Sequence, residues 1–301
     1  MRSLKALITL SVISISATVF SFDPGRFTSI EKLMNAGIIT ADLESPGGDS
    51  SLNIIITMTN NSPDSAHVWV EAGRRLESVD PGEQDILVVG NEQVGLAPGE
   101  TTEVQVDGFC CQSKNAGPKK KSMFRIGAMA AAAWVFLANI IDRNHFPKKS
   151  VQHAVWCLSN DHDIRTIPVF RGKPTIKLRQ AVADIKEVPL PWYSFGYKDD
   201  PEQLFSGEKE SIVAEVLFEA PRRAMMTGQI KNSAGQIVYQ SPSYHASRGE
   251  NIYFLEADIR GWPDGSYDFY LMEDFHTLNQ VKTFVIDKSA DESGDNVELN
   301  H

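Results

Sequence analysis

Two short segments about forty residues apart carry the residue types from which a reactive bond could be built: Phe109-Cys110-Cys111-Gln112 and Val151-Gln152-His153-Ala154-Val155-Trp156. A thiol and a side-chain amide brought together and shielded from water can condense to an internal thioester, a reactive acyl group that needs no cofactor. Such a bond must sit in a dry pocket, because an exposed thioester reacts with any nearby nucleophile. Trp156, one turn after Gln152, and the apolar stretch around Trp134 are expected to wall it. The same residues have a purely structural reading: Gln152 caps a helix, Trp156 fills a core, and the cysteines are buried thiols or a disulfide. The chain has three cysteines, so at most one disulfide can form within it, and Cys111 with Cys157 is the expected pair.

The two segments resemble the thioester domains of bacterial surface adhesins. Those domains carry an aromatic-Cys segment, a polar loop containing Pro, and later a helix that begins T-Q-x-A-(I/V)-W. Here Gln152, Ala154, Val155 and Trp156 match, Val151 stands where Thr is usual, and the loop Ser113 to Pro118 keeps its polar character and its Pro. The resemblance makes Cys110 the expected thioester cysteine, Cys111 the alternative, and Gln152 the acyl residue.

Other chemistry finds less support. The seven histidines include His153 and His162, the latter within Asn160-Asp161-His162-Asp163, but no closely set ligand pair occurs. Asp161 and Asp163 alternate as in a calcium loop, without the Gly and distal Glu that such a loop requires. There is no G-x-S-x-G elbow, phosphate-cradling glycine loop or H-E-x-x-H. No metal, cofactor, catalytic residue or enzymatic activity is expected.

The elements that must position the two segments are mainly strands. Short β-patterned runs at Leu52 to Thr59, Val68 to Glu71, Ile86 to Val89 and Thr102 to Val106 are punctuated by Pro63-Asp64, Asp80-Pro81-Gly82 and Pro98-Gly99. Ser29 to Gly37 reads as a short helix with a Ser cap, and the apolar run Gly127 to Ile141 reads as a buried helix. A further helix is expected from Ser150, as cap, to Leu158. The fold class is therefore mainly β, with two β-sandwich domains, the first carrying a packed helical insert. Residues 22–170 form the first, 171–210 a Pro-rich linker and domain seam with Trp192, Tyr193, Phe195 and Tyr197 clustered in it, and 211–288 the second. The second stretch resembles the small carboxy-terminal immunoglobulin-like domains of Bacteroidetes surface proteins, several of which serve as type IX secretion signals. Gly228 to Tyr239, Gly265-Ser266-Tyr267 and Val281 to Ile286 carry that likeness, and an acidic tail, residues 289–301, follows it.

Residues 1–21 read as a secretory signal: Arg2 and Lys5, then a mostly apolar stretch to Phe20, then Ser21. The apolar run is too short for a bilayer crossing, so no membrane span is expected. A net charge of −10 argues against nucleic acid as a partner. The function expected is that of an exported cell-surface, periplasmic or extracellular binding or adhesion module whose partners are other proteins or surface glycans. The other class is an accessory subunit of an envelope or secretion complex with no chemistry of its own.

Overall fold

The computed structural model describes residues 27–47, 52–199, 205–275 and 277–288; the export signal expected over 1–21 and the acidic tail over 289–301 lie outside them. Along the first part of the chain run β1 (Thr28–Ser29), α1 (Ile30–Asn35), β2 (Ile39–Glu44), β3 (Leu52–Asn60), β4 (Ala66–Val70), β5 (Arg74–Ser78), β6 (Ile86–Val88), β7 (Glu92–Leu96), β8 (Thr101–Cys110) and β9 (Met123–Met129). Alternation sends every second residue inward. Ile54, Ile56 and Met58 of β3 are fully buried and share one core with Leu76, Val106, and Val68 of the neighbouring sheet.

The first sheet does not stay open as half of a sandwich. It closes as a barrel in the order β2-β3-β8-β6-β5-β9, with β1-β4-β7 as a separate three-stranded sheet packed on the same core. Closure depends on β9, which pairs with β5 on one side and, at Leu43↔Phe124 and Glu44↔Met123, with β2 on the other. This strand occupies the start of the apolar run expected to be all helix, so the helix begins only at Ala132. Arg74, fully buried, ties the layers together through Glu71, Glu31, Ser29 Oγ and the Gly127 carbonyl. The Ser29 hydroxyl is thus engaged with Arg74 and does not cap α1.

Three helices pack against the outward-facing residues Leu87 of β6 and Phe109 of β8: α2 (Ala132–Asp142), α3 (Lys148–Ser159) and α4 (Thr175–Lys186). α2 buries Trp134, Leu137, Ala138 and Ile141 and exposes Phe136. It lies so close to the barrel that a Cβ at Gly73, whose φ is +93°, would stand 2.8 Å from Val135 Cγ2. α3 is buried on nearly every side, from Ser150 to Cys157. Its cap position is Pro147, not Ser150, whose hydroxyl donates instead to the Pro168 carbonyl at 2.9 Å. α4 falls inside the segment expected to be linker; Leu178, Val182 and Ala183 join Val151, Val155 and Leu137 in a helical core. The prolines suggested broken structure there, yet Pro174 immediately precedes the helix and Pro189 and Pro191 follow its end, where proline costs a helix nothing.

The remaining chain forms two facing sheets around a second core. β10 (Ser194–Tyr197), β11 (Lys209–Ala220) and β15 (Gly249–Asp258) make one; β12 (Ala224–Asn232), β13 (Ile237–Gln240), β14 (Tyr244–Ala246), β16 (Gly265–Glu273) and β17 (Thr277–Ile286) make the other. Ile212, Leu255, Ile230 and Phe269 are fully buried between them. The aromatic run divides: Tyr193 and Phe195 belong to this core, Trp192 packs against Phe269 and Phe284, and Tyr197 stacks on His153 of α3. Arg165 Nη1 donates to the Tyr193 hydroxyl at 3.0 Å and Arg179 donates to the Pro191 and Tyr193 carbonyls, which fixes the helical layer to the second sandwich.

Candidate functional site

The two sequence segments meet. Among the described residues the ladder between β3 and β8 runs to Leu52↔Gly108; two residues further Cys110 still faces Ile86 of β6 on one edge, while on the other its backbone pairs with a side chain. Cys110 N–H donates to Gln152 Oε1 at 3.0 Å, and Gln152 Nε2 donates to the Cys110 carbonyl at 2.8 Å. The amide of Gln152 therefore stands where a neighbouring strand's peptide group would, and both residues are buried. It is placed there because α3 starts at Lys148, which puts Gln152 in the second turn, facing β8.

Strand alternation sends the adjacent thiols to opposite faces. Cys110 packs with the barrel core, whereas Phe109 and Cys111 pack with the helical core beside Val151 and Trp134. All three cysteines are separate, buried thiols, and no bond joins Cys111 to Cys157 in the structure. Cys157 Sγ is 3.4 Å from the Asp163 carbonyl and 3.7 Å from Thr166 Oγ1. Burial pushes the Cys110 and Cys157 thiols up to about 12 and raises Cys111 as well, because the thiolate loses its hydration. Each is held as the neutral thiol near pH 7.

Gln152 is buried, and the next turn of α3 carries a cluster of rings. Trp156, one turn on, is 1% exposed and faces the rings of His153, His162 and Phe205 at 5.3, 5.9 and 6.0 Å. Its indole Nε1 has no hydrogen-bond partner among the described residues. Trp134 lies in the helical core on the Cys111 side. The two tryptophans named from the sequence thus wall different parts of the region. Burial lowers the His153 pKa to about 3, with the nearby His162 and Lys149 acting in the same direction, so its ring is neutral.

The sequence reading missed how the loop after the cysteines is anchored. Ser113 Oγ and His162 Nε2 are 3.0 Å apart, Ser113 N–H donates to Asn160 Oδ1 at 3.1 Å, and both Ser113 and His162 are buried. The only sequence signal was the polar pattern at both places. Gln112, the glutamine nearest the cysteines, is held elsewhere: its Oε1 accepts from Asp85 N–H at 2.6 Å. Asp161 pairs with Lys186 and Asp163 with Arg165, and no group of three or more metal-ligating side chains occurs among the described residues.

No protein-family model matches the chain, and no curated protein does. Among solved structures it is similar to a β-glucosidase from Kluyveromyces marxianus, at 8% identity and a TM-score of 0.22, over 79% of this chain and 44% of that one. It is also similar to the BSP domain of a biofilm-associated protein, at 11% identity and a TM-score of 0.20, over 82% and 51% of the two chains. A third is the CBM51-2 and INT domains of Clostridium perfringens ZmpB, at 7% identity and a TM-score of 0.17, over 82% and 79%. The chain spans about half the length of the first two. Likenesses this slight carry no argument about fold or function.

Proposed function

We propose that the protein is an exported surface-binding module whose amino-terminal half forms an internal thioester between Cys110 and Gln152, and whose partners are other proteins or surface glycans. One observation supports the reading: a buried glutamine amide is hydrogen-bonded at both ends to the backbone of the cysteine named from the sequence as its reaction partner. In the step itself, the Cys110 sulfur adds to the Gln152 side-chain carbonyl, the C–N bond breaks, and the amide nitrogen leaves as ammonia with the thiol proton. An amine on a partner then takes the acyl group, forms an amide at Gln152 and releases the Cys110 thiol. Exclusion of water protects the bond until such an amine arrives.

Methylamine is the test. Treated native protein should carry an N-methylated Gln152 and a newly alkylatable Cys110 in its peptide map. An unmodified Gln152 after prolonged treatment contradicts the thioester. A second reading, an accessory subunit of an envelope assembly, is favoured by the same two hydrogen bonds seen as a strut. They satisfy the last backbone groups of β8, and the protonated Cys110 thiol then only fills space.

A further inference from the structure

We infer that the cleft between the helical layer and the outer face of the β10-β11-β15 sheet binds a neutral sugar, at a site separate from the Cys110–Gln152 pair. The cleft has two chambers, of about 330 Å³ and about 590 Å³, which share Arg171, Phe254 and Glu256. Both volumes fall within the range of small-molecule sites, about 300–1,000 Å³. The floor is made of alternate residues on adjacent strands: Ser211, Val213 and Glu215 of β11, and Phe254 and Glu256 of β15. The roof of the smaller chamber is the turn from Thr166 to Arg171, with His153 of α3 and Tyr197 of β10 at its side.

The chemistry of these walls selects the ligand class. β11 is paired on both edges, to β10 and to β15, so its backbone has nothing left to offer an added strand. Over the face of β11 a ligand is therefore met by side chains, whereas β15 is paired on one edge only among the described residues, so an extended peptide is the competing occupant that the binding experiment must distinguish. Rings line both chambers, Phe195, Tyr197 and Phe254 in one and Tyr239 and Tyr244 in the other, while Glu215, Glu256 and Ser211 supply polar acceptors beside them. A pyranose has this same duality, with C–H faces that lie on rings and a rim of hydroxyls that donate to carboxylates.

Charge and burial narrow the class further. The lining carries two cationic and two anionic side chains, Lys149 and Arg171 with Glu215 and Glu256; with the Lys149–Asp199 pair at 2.8 Å counted in, the cleft has at most one net negative charge, and the Arg171 guanidinium lies 5.0 Å over the Phe254 ring. A balanced lining gives a charged ligand no advantage. Finally, His153 lines the smaller chamber, is 4% exposed, and has an Nδ1 with no hydrogen-bond partner among the described residues, a polar group in the chamber wall that is not committed to the fold.

The inference deepens the surface-binding reading but is independent of the thioester, so Gln152→Ala protein should still bind. The full chain is titrated with glucose, galactose, mannose and N-acetylglucosamine, and with maltotriose and cellotriose for both chambers, by calorimetry and saturation-transfer NMR. The expected result is saturable binding of at least one of them, weakened about tenfold or more by Glu256→Gln and by Phe254→Ala. Both variants should keep the wild-type melting profile, and Gln152→Ala should retain the affinity. The inference is overturned if no sugar in the set binds saturably, if binding survives both substitutions, or if only extended peptides bind. Loss of sugar binding with methylamine uptake intact removes the sugar site alone; the converse removes the thioester alone.

Discussion

In the uncondensed protein, where the Gln152 amide is intact, replacing Gln152 with Ala removes both hydrogen bonds to Cys110 at once. Cys110 is 4% exposed, so its N–H and C=O are then left buried with no partner. An unsatisfied buried backbone group costs about 1–3 kcal/mol, so two of them destabilise the protein by roughly 2–6 kcal/mol, the lower end applying if a water fills the gap. For a domain of about 150–250 residues, each kcal/mol shifts the melting midpoint by about 2–4 °C, so the loss should be at least about 4 °C. Differential scanning calorimetry on wild type and Gln152→Ala, with hydrogen exchange followed at Cys110, reads both quantities. An unchanged midpoint, or an unchanged exchange rate at Cys110, would show that the amide does not hold the end of β8.

Two further outcomes follow from buried titratable groups. His153 has its pKa depressed to about 3 by burial, below an ordinary value of about 6.5, so its neutral form stabilises the fold fully above pH 6.5. That contribution is lost as pH falls from about 6.5 towards 3, and melting midpoints measured across this window should decline; a midpoint constant to pH 4 would contradict a buried neutral ring. The thiols of Cys110, Cys111 and Cys157 are buried and protonated, so the native protein should resist iodoacetamide at pH 8. On unfolding at mildly acidic pH without an amine present, where an exposed thioester outlasts rapid maleimide labelling, Cys111 and Cys157 should label and Cys110 should not, whereas immediate labelling of all three would mean that no thioester formed.

The site was legible in the sequence to the extent that chemistry leaves a local trace. The resemblance to thioester domains pointed to Cys110, with Cys111 as alternative, and to Gln152; in the structure the Gln152 amide meets the backbone of Cys110. Their mode of contact was not legible, because it depends on β3 ending opposite Gly108 and on α3 starting at Lys148. Local propensity favoured Ser150 as a cap, but its hydroxyl found a tertiary acceptor in Pro168. The barrel was obscured for a similar reason. Gly127, Ala128 and Met129 are as apolar as the helix they precede, and only pairing with β5 makes them strand. α4 was hidden by composition, since prolines that flank a helix look the same in a sequence as prolines that break one. The cleft over β11 left only a partial trace, Phe195 and Tyr197 of the aromatic cluster, because its other walls come from segments that the chain brings together only in the final fold.

The most direct measurement is the intact mass of native, unreduced protein purified in the absence of amines. A Cys110–Gln152 thioester predicts a mass about 17 Da below that of the same polypeptide with three free thiols, the ammonia lost on condensation, and no deficit in Gln152→Ala. A mass with no deficit, or one lower by only about 2 Da as a disulfide requires, would contradict it.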